Sequence, residues 1–211
     1  MSSTYLQQSP ASLCDRLGLW RDRQLARQAL KVAGEPGLVL DLPSGAGRFW
    51  PVLAEHTNRV ILAADPSQDA LALGETRCDG QTLQRIKTFQ TSALAIDLSD
   101  NAVDCIFSMR LFHHIASSDE RSAVLSEFHR VTRDTAIIAL WVDGNIKSWR
   151  RKRLEHCRAT DGQALPRNNR FVVGRGQIEA EFSDAGFDIL SHHDVLPGYA
   201  MWRVYVLRKS A

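Results

Sequence analysis

Long apolar runs are missing from this 211-residue chain. None approaches the ~18 residues that span a bilayer. The first ten residues, Met1 to Pro10, are polar, so no secretory leader is expected there and the cytoplasm is the expected compartment. Cysteine is scarce as well. Cys14, Cys78, Cys105 and Cys157 stand far apart without a C-x-x-C pair. That spacing argues against a zinc site and against a disulfide framework; reduced thiols and no bound metal are expected. A charge excess is also lacking: 26 basic side chains face 24 acidic ones, a net charge of +2. Such a balance gives no overall pull toward nucleic acid or an anionic membrane. Internal repeats and low-complexity tracts are absent.

What is present is an ordinary globular composition, 44% hydrophobic and 24% charged. The length suits one domain over 1–211, with a helical segment at 1–35 and an insertion at 143–175. Leu13, Leu17, Trp20, Leu25, Ala29 and Val32 recur at helical spacing and predict a helix over 12–32. Short apolar runs predict buried strands at 38–42, 60–64, 86–91, 103–108 and 136–142. Helices are expected between them, through Glu55, over 68–76 and over 118–131. A helix over 176–185 and strands at 187–194 and 201–208 close the chain. Strands alternating with helices imply an α/β fold: a three-layer Rossmann-like sandwich on a mostly parallel seven-stranded sheet with an antiparallel edge.

The chemistry concentrates after the first strand. Asp41-Leu42-Pro43-Ser44-Gly45-Ala46-Gly47 joins that strand to a helix. Gly45 and Gly47 carry no Cβ, so the backbone there can turn sharply and lie against a ligand. Open α/β sheets bind ligands beyond the carboxyl ends of their strands. The second strand ends in Asp65, 18 residues beyond Gly47. A carboxylate there can accept from both hydroxyls of a ribose. It can also cap the next helix, with Pro66 at the first helical position. A nicotinamide enzyme would need a third glycine three residues after Gly47. Trp50 stands there instead and argues against a pyrophosphate across the helix start.

These residues resemble the class I S-adenosylmethionine-dependent methyltransferase family. Val39 to Arg48 resembles its first motif, and Ala64-Asp65-Pro66-Ser67 its second. Thr91-Ser92-Ala93, followed by Leu98 to Asp104, stands at the third, and Ile106 to His114 at the fourth. Asp184-Ala185-Gly186-Phe187 is similar to the turn before the sixth strand. The resemblance implies S-adenosylmethionine as cofactor. Asp41, Gly45 and Gly47 would lie near its methionine end, with Ser44 and Ala46 in the same loop. Asp65, followed by Pro66, would meet the ribose. Ser92 and the Ala93 backbone would meet the adenine, and Ser108 and Met109 the methionine portion. Ser92 replaces the family's usual aspartate, and Thr132-Arg133-Asp134-Thr135 replaces its usual glycine-rich turn.

A sulfonium methyl is strongly electrophilic, so such a protein mainly aligns the acceptor and excludes water. His113 and His114 are the candidates for a general base, should the acceptor need to lose a proton. Both also have a packing role open to them. Arg110 can pair with an acidic group of the substrate. From Lys147 to Arg175, nine basic residues face two acidic ones, and Arg150, Trp141 and Trp149 are candidates for holding the acceptor. That stretch suits a small anionic molecule; a solvated helix face is the plain alternative. RNA is the alternative acceptor, although aromatic interleaving for base stacking is sparse. A binding partner without catalysis is the alternative from another class.

Overall fold

A computed structural model describes residues 13–151, 153 and 170–210. Helix α1 (Leu13–Val32) leads into β1 (Leu38–Asp41), α2 (Trp50–Leu53), β2 (Val60–Asp65), α3 (Gln68–Arg77), α4 (Gly80–Leu83) and β3 (Ile86–Gln90). Then come β4 (Val103–Ser108), a 3-10 turn (Phe112–His114), α5 (Ser118–Val131) and β5 (Thr132–Trp141). Helical residues 146–151 form α6. Helix α7 (Arg175–Asp184) precedes β6 (Phe187–Asp194) and β7 (Trp202–Lys209).

The seven strands lie in the order β3-β2-β1-β4-β5-β7-β6. Strands β1 to β5 pair in parallel, whereas β7 runs antiparallel to both β5 and β6. The antiparallel edge is therefore a two-strand device: β7 is reversed and β6 lies outermost. Between β1 and β4 the chain changes its direction of travel across the sheet. Their carboxyl ends flank a crevice there, the usual ligand position of such sheets.

Successive residues of the central strands feed two cores, as a two-residue side-chain period requires. Leu40, Ile106, Ile138 and Leu140 pack on one face with Leu125 and Phe128 of α5 and Phe182 of α7. Val39, Phe107, Ile137 and Ala139 pack on the other with Leu25, Ala29 and Leu30 of α1 and Trp50 and Leu53 of α2. These are the three layers expected. Helices α5 and α7 are also joined by a buried ion pair. Arg121 Nε and Nη2 donate to Glu181 Oε2 and Oε1 at 2.7 and 2.6 Å. Burial raises the Glu181 pKa, but the Arg121 and Ser118 hydrogen bonds outweigh it and the net shift is downward.

Local chemistry moves several boundaries. Strand β5 starts at Thr132, before its apolar run, because the exposed Arg133 and Asp134 pair with Asp104 and Arg208 on the neighbouring strands. The segment Thr132 to Thr135 is thus strand and not a turn. Helix α2 is a single turn. Helix α4 was not legible as an apolar pattern; it forms on an Asp79 cap whose carboxylate accepts from Thr82 N at 2.9 Å. Ser67, not Asp65, caps α3. No described helix is long and apolar enough to cross a membrane.

Candidate active site

The loop after β1 is held from three sides. Ser44 N donates to Ala64 O at 2.8 Å, which ties the loop to the end of β2. Gly45 N donates to Asp65 Oδ2 at 2.9 Å, and Ser67 N donates to Asp65 Oδ1 at 2.9 Å. Asp65 therefore clamps the loop to the start of α3. Each of its oxygens keeps a further lone pair, so a cis-diol can still be received. Gly45 and Gly47 sit at φ +56° and +70°, in the left-handed region that favours glycine. A Cβ on Gly45 would meet nothing within 4 Å, so this backbone borders open space.

Beneath the loop lies Trp50. A Cβ on Gly47 would come within 2.6 Å of its ring, and one on Gly74 of α3 within 2.8 Å. Both glycines are therefore spaces for the indole. Trp50 Nε1 donates to Ser44 Oγ at 2.7 Å, and Ser44 Oγ donates to Asp41 Oδ2 at 2.9 Å. The tryptophan in the third-glycine position is a structural member of the loop as well as an obstacle to a pyrophosphate. Its packing role escaped the sequence reading, although Gly47, Trp50 and Gly74 carry the signal.

Asp41 is 2% exposed. Burial raises its pKa to about 7; Ser44 and Trp50 oppose the rise through hydrogen bonds, and Asp65 adds to it by repulsion. A nearby cation would favour its ionised form. Pro66 is exposed at the end of β2. Ser92 is exposed in a turn, where its Oγ accepts from Leu94 N at 3.2 Å, while Ala93 is buried. At the end of β4, Ser108 and Met109 are buried, and Ser108 Oγ has no hydrogen-bond partner. A buried hydroxyl without a partner costs free energy unless a ligand or water meets it.

Beyond Met109 the surroundings change. A cavity of about 290 Å³ is lined by Arg110, His113, Trp141, Lys147, Arg170 and Trp202, with Asp22, Val195, Ala200 and Met201 completing its wall. His113 is 1% exposed. Its ring stacks on Trp141 at 5.8 Å and meets Trp202 edge-on at 5.2 Å and His114 at 4.1 Å. Burial lowers its pKa to about 3, with His114, Arg110 and Arg170 adding to the fall. Neutral imidazole is thus its state at neutral pH. The guanidiniums of Arg151 and Arg170 lie 5.2 and 5.6 Å from the Trp141 ring, so this tryptophan is already faced by cations. Asp22 of α1 is bound by Arg48 at 2.5 Å.

The fold gathers Arg110, His113 and Trp141, which were expected near the acceptor. Lys147 and Arg170 of the expected basic stretch join them, and the fold adds Asp22 and Trp202, which come from distant segments and share no sequence period. Arg150 is exposed and does not line the cavity; Lys147 of the same helix does, with Nζ 5.1 Å from the Tyr199 ring. His114 is exposed beside His113. Trp149 is 61% exposed, with Arg153 5.5 Å from its ring. Lys152, Arg158 and Arg167 of the basic stretch lie outside the described residues.

Residues 39–135 match a family described as a methyltransferase domain. A curated relative, the tRNA (carboxymethyluridine(34)-5-O)-methyltransferase ALKBH8 of Macaca fascicularis, is 24% identical over 153 residues. The match takes in 71% of this chain but only 22% of the relative, so the chain spans about a fifth of that protein's length. Among solved structures, magnesium protoporphyrin IX methyltransferase of Synechocystis PCC 6803 with bound SAH aligns with a TM-score of 0.75 at 15% identity, covering 97% of this chain and 90% of that one. The N,N-8-amino-8-demethyl-D-riboflavin dimethyltransferase of Streptomyces davawensis aligns at 0.68 and 17% identity, covering 95% and 56%. At such identities the structural likeness speaks for the fold alone. The match runs from β1 to the start of β5 and covers the clamped glycine loop, Asp65 and the β4 end, so residues 39–135 are similar to a methyltransferase domain.

Proposed function

We propose that this chain transfers a methyl group from S-adenosylmethionine to a small anionic acceptor held in the cavity of Arg110, Lys147, Arg170, Trp141 and Trp202. The observation that carries the reading is the placement of three cations next to the end of β4, where the loop chemistry gives way to an open cavity. The described residues fit the cofactor. Gly45 borders open space, Asp65 has lone pairs to spare, and the Ser108 hydroxyl lacks a partner. Asp65 would hold the ribose; Ser92 and Ala93 would border the adenine. Asp41, Ser44, Gly45, Ala46 and Gly47, with Ser108 and Met109, would hold the methionine end.

When bound, the cofactor supplies a sulfonium-activated methyl group. The chain's own contribution is placement and charge. Arg110, Lys147 and Arg170 fix an anion, while Trp141, Trp202 and Met201 keep water from its flank. His113, being neutral, serves as a hydrogen-bonding wall rather than a reservoir of protons. A single domain over 1–211 with a substrate-cap insertion at 143–175 is the organisation proposed with it.

The test is formation of the demethylated cofactor product with two acceptor pools, the low-molecular-weight fraction of the source cells and their RNA. Turnover with the first pool alone is the expected result. RNA remains the second reading because a tRNA methyltransferase is a relative and because Trp149, with Arg153 beside it, is exposed. Turnover with RNA alone would replace the small acceptor with it.

A further inference from the structure

The acceptor cavity leaves open what the loop side satisfies. His113 and Trp202 line it, and His113 Nδ1 and Trp202 Nε1 are buried without hydrogen-bond partners. Arg110, Lys147 and Arg170 share the wall. A ligand settling there meets three cations, an indole N–H and a neutral imidazole. An oxyanion can accept from all of them.

Among the described lining residues, none shows a carboxylate or carbonyl orienting a histidine as a base. A histidine that acts as base is usually oriented by a carboxylate or carbonyl on its other nitrogen. The His113 ring is packed instead among Trp141, Trp202 and His114, and its depressed basicity agrees with that setting. Asp22 is the one acidic side chain in the described wall, and a proton placed on it would break the 2.5 Å pair with Arg48. His114 is not among the lining residues. An alcohol or phenol must give up a proton at or before attack, and an alkyl amine must first lose the extra proton it carries at neutral pH. A carboxylate arrives ionised at neutral pH.

We infer that the methyl acceptor is a carboxylate oxygen and that the product is a methyl ester formed without a general base. This rests on the methyltransferase reading above. One carboxylate oxygen forms a bond to the methyl carbon as the carbon–sulfur bond breaks. The bonding pair stays on sulfur, so the sulfonium becomes a neutral sulfide and the carboxylate a neutral ester. No proton moves. The ester no longer carries the charge that Arg110, Lys147 and Arg170 attract, which favours its release. A phosphate monoester would keep a charge after methylation and would stay bound.

Two measurements test this. In calorimetry without cofactor, benzoate is expected to bind roughly tenfold or more tightly than benzamide, with the difference lost in Arg170→Gln. Equal affinities, or no benzoate binding, overturn the inference. In turnover, methyl-tritiated S-adenosylmethionine is supplied with the low-molecular-weight cell fraction, and the product is treated with mild alkali. Release of the label as volatile methanol is expected. Label that resists alkali, as an ether, amine or phosphate ester would, overturns the carboxylate and leaves the methyltransferase reading standing. No transfer at all overturns both. At saturating cofactor, kcat is expected to stay flat from about pH 6 to about pH 8, although Asp22, His113 and His114 lie at or beside the cavity. A loss of about a hundredfold in kcat in Asp22→Asn or His113→Asn, with benzoate affinity intact, assigns a base and overturns the inference.

Discussion

The two halves of the crevice are built on opposite terms. Around β1 and β2, polar groups satisfy one another: Asp65 holds Gly45 and Ser67, and Trp50 holds Ser44, which holds Asp41. Around β4, β5 and β7, cations gather and two ring nitrogens are left without partners. The first half is shaped before any ligand arrives. The second has hydrogen-bonding capacity still to be used. That division suits the proposed roles, a preformed site for the cofactor and a separate one for the acceptor.

The largest expected break in the comparison is Gly47→Ala. A left-handed alanine costs roughly 1–2 kcal/mol, and its Cβ would also strike the Trp50 ring. The expected result is a melting temperature lower by roughly 5 °C or more, with cofactor binding lost in calorimetry. Asp65→Ala comes next. It strips two backbone N–H groups of their acceptor, and cofactor affinity is expected to fall about a hundredfold or more while the fold persists by circular dichroism.

Asp41 gives a graded test. Its folded pKa, about 7, lies above its unfolded value, so the folded state holds a proton that the unfolded state has lost. The associated stability is fully present below the unfolded pKa and disappears as pH rises through 7. Asp41→Asn is therefore expected to be progressively more stable than wild type between about pH 5 and about pH 8 by denaturant titration. A cofactor ammonium near Asp41 favours the carboxylate, so wild-type cofactor affinity should fall below about pH 7 and the variant's should not.

The smallest effect belongs to the other half. His113 is neutral when folded, with a pKa depressed to about 3. Between that value and its ordinary one, the unfolded chain binds a proton that the folded chain refuses. Its contribution is thus lost as pH falls from about 7 toward 3. His113→Asn should flatten the acid side of the stability profile modestly.

The same division explains what the sequence made legible. The loop side occupies continuous stretches, Val39 to Arg48 and Ala64 to Ser67, each at the end of a strand whose apolar run marks it. Helix α4 and the early start of β5 were hidden because a cap and cross-strand ion pairs, not hydrophobic periodicity, create them. The cavity draws on α1, the segment after β4, β5, α6, Arg170 and β7. Arg110, His113 and Trp141 stood out by their closeness to strand ends. Asp22 and Trp202 did not, since only the packing of α1 and the reversal of β7 bring them there. Arg150 attracted notice as part of a basic run, but charge alone does not tell which cation of a helix faces a cavity.

The most direct test of the division is calorimetry of the demethylated cofactor product against wild type, Asp65→Ala and Arg170→Gln. Binding to wild type, its loss in Asp65→Ala and its retention within about twofold in Arg170→Gln are expected. No binding to wild type, or an Arg170→Gln loss as large as that of Asp65→Ala, would contradict two separate halves.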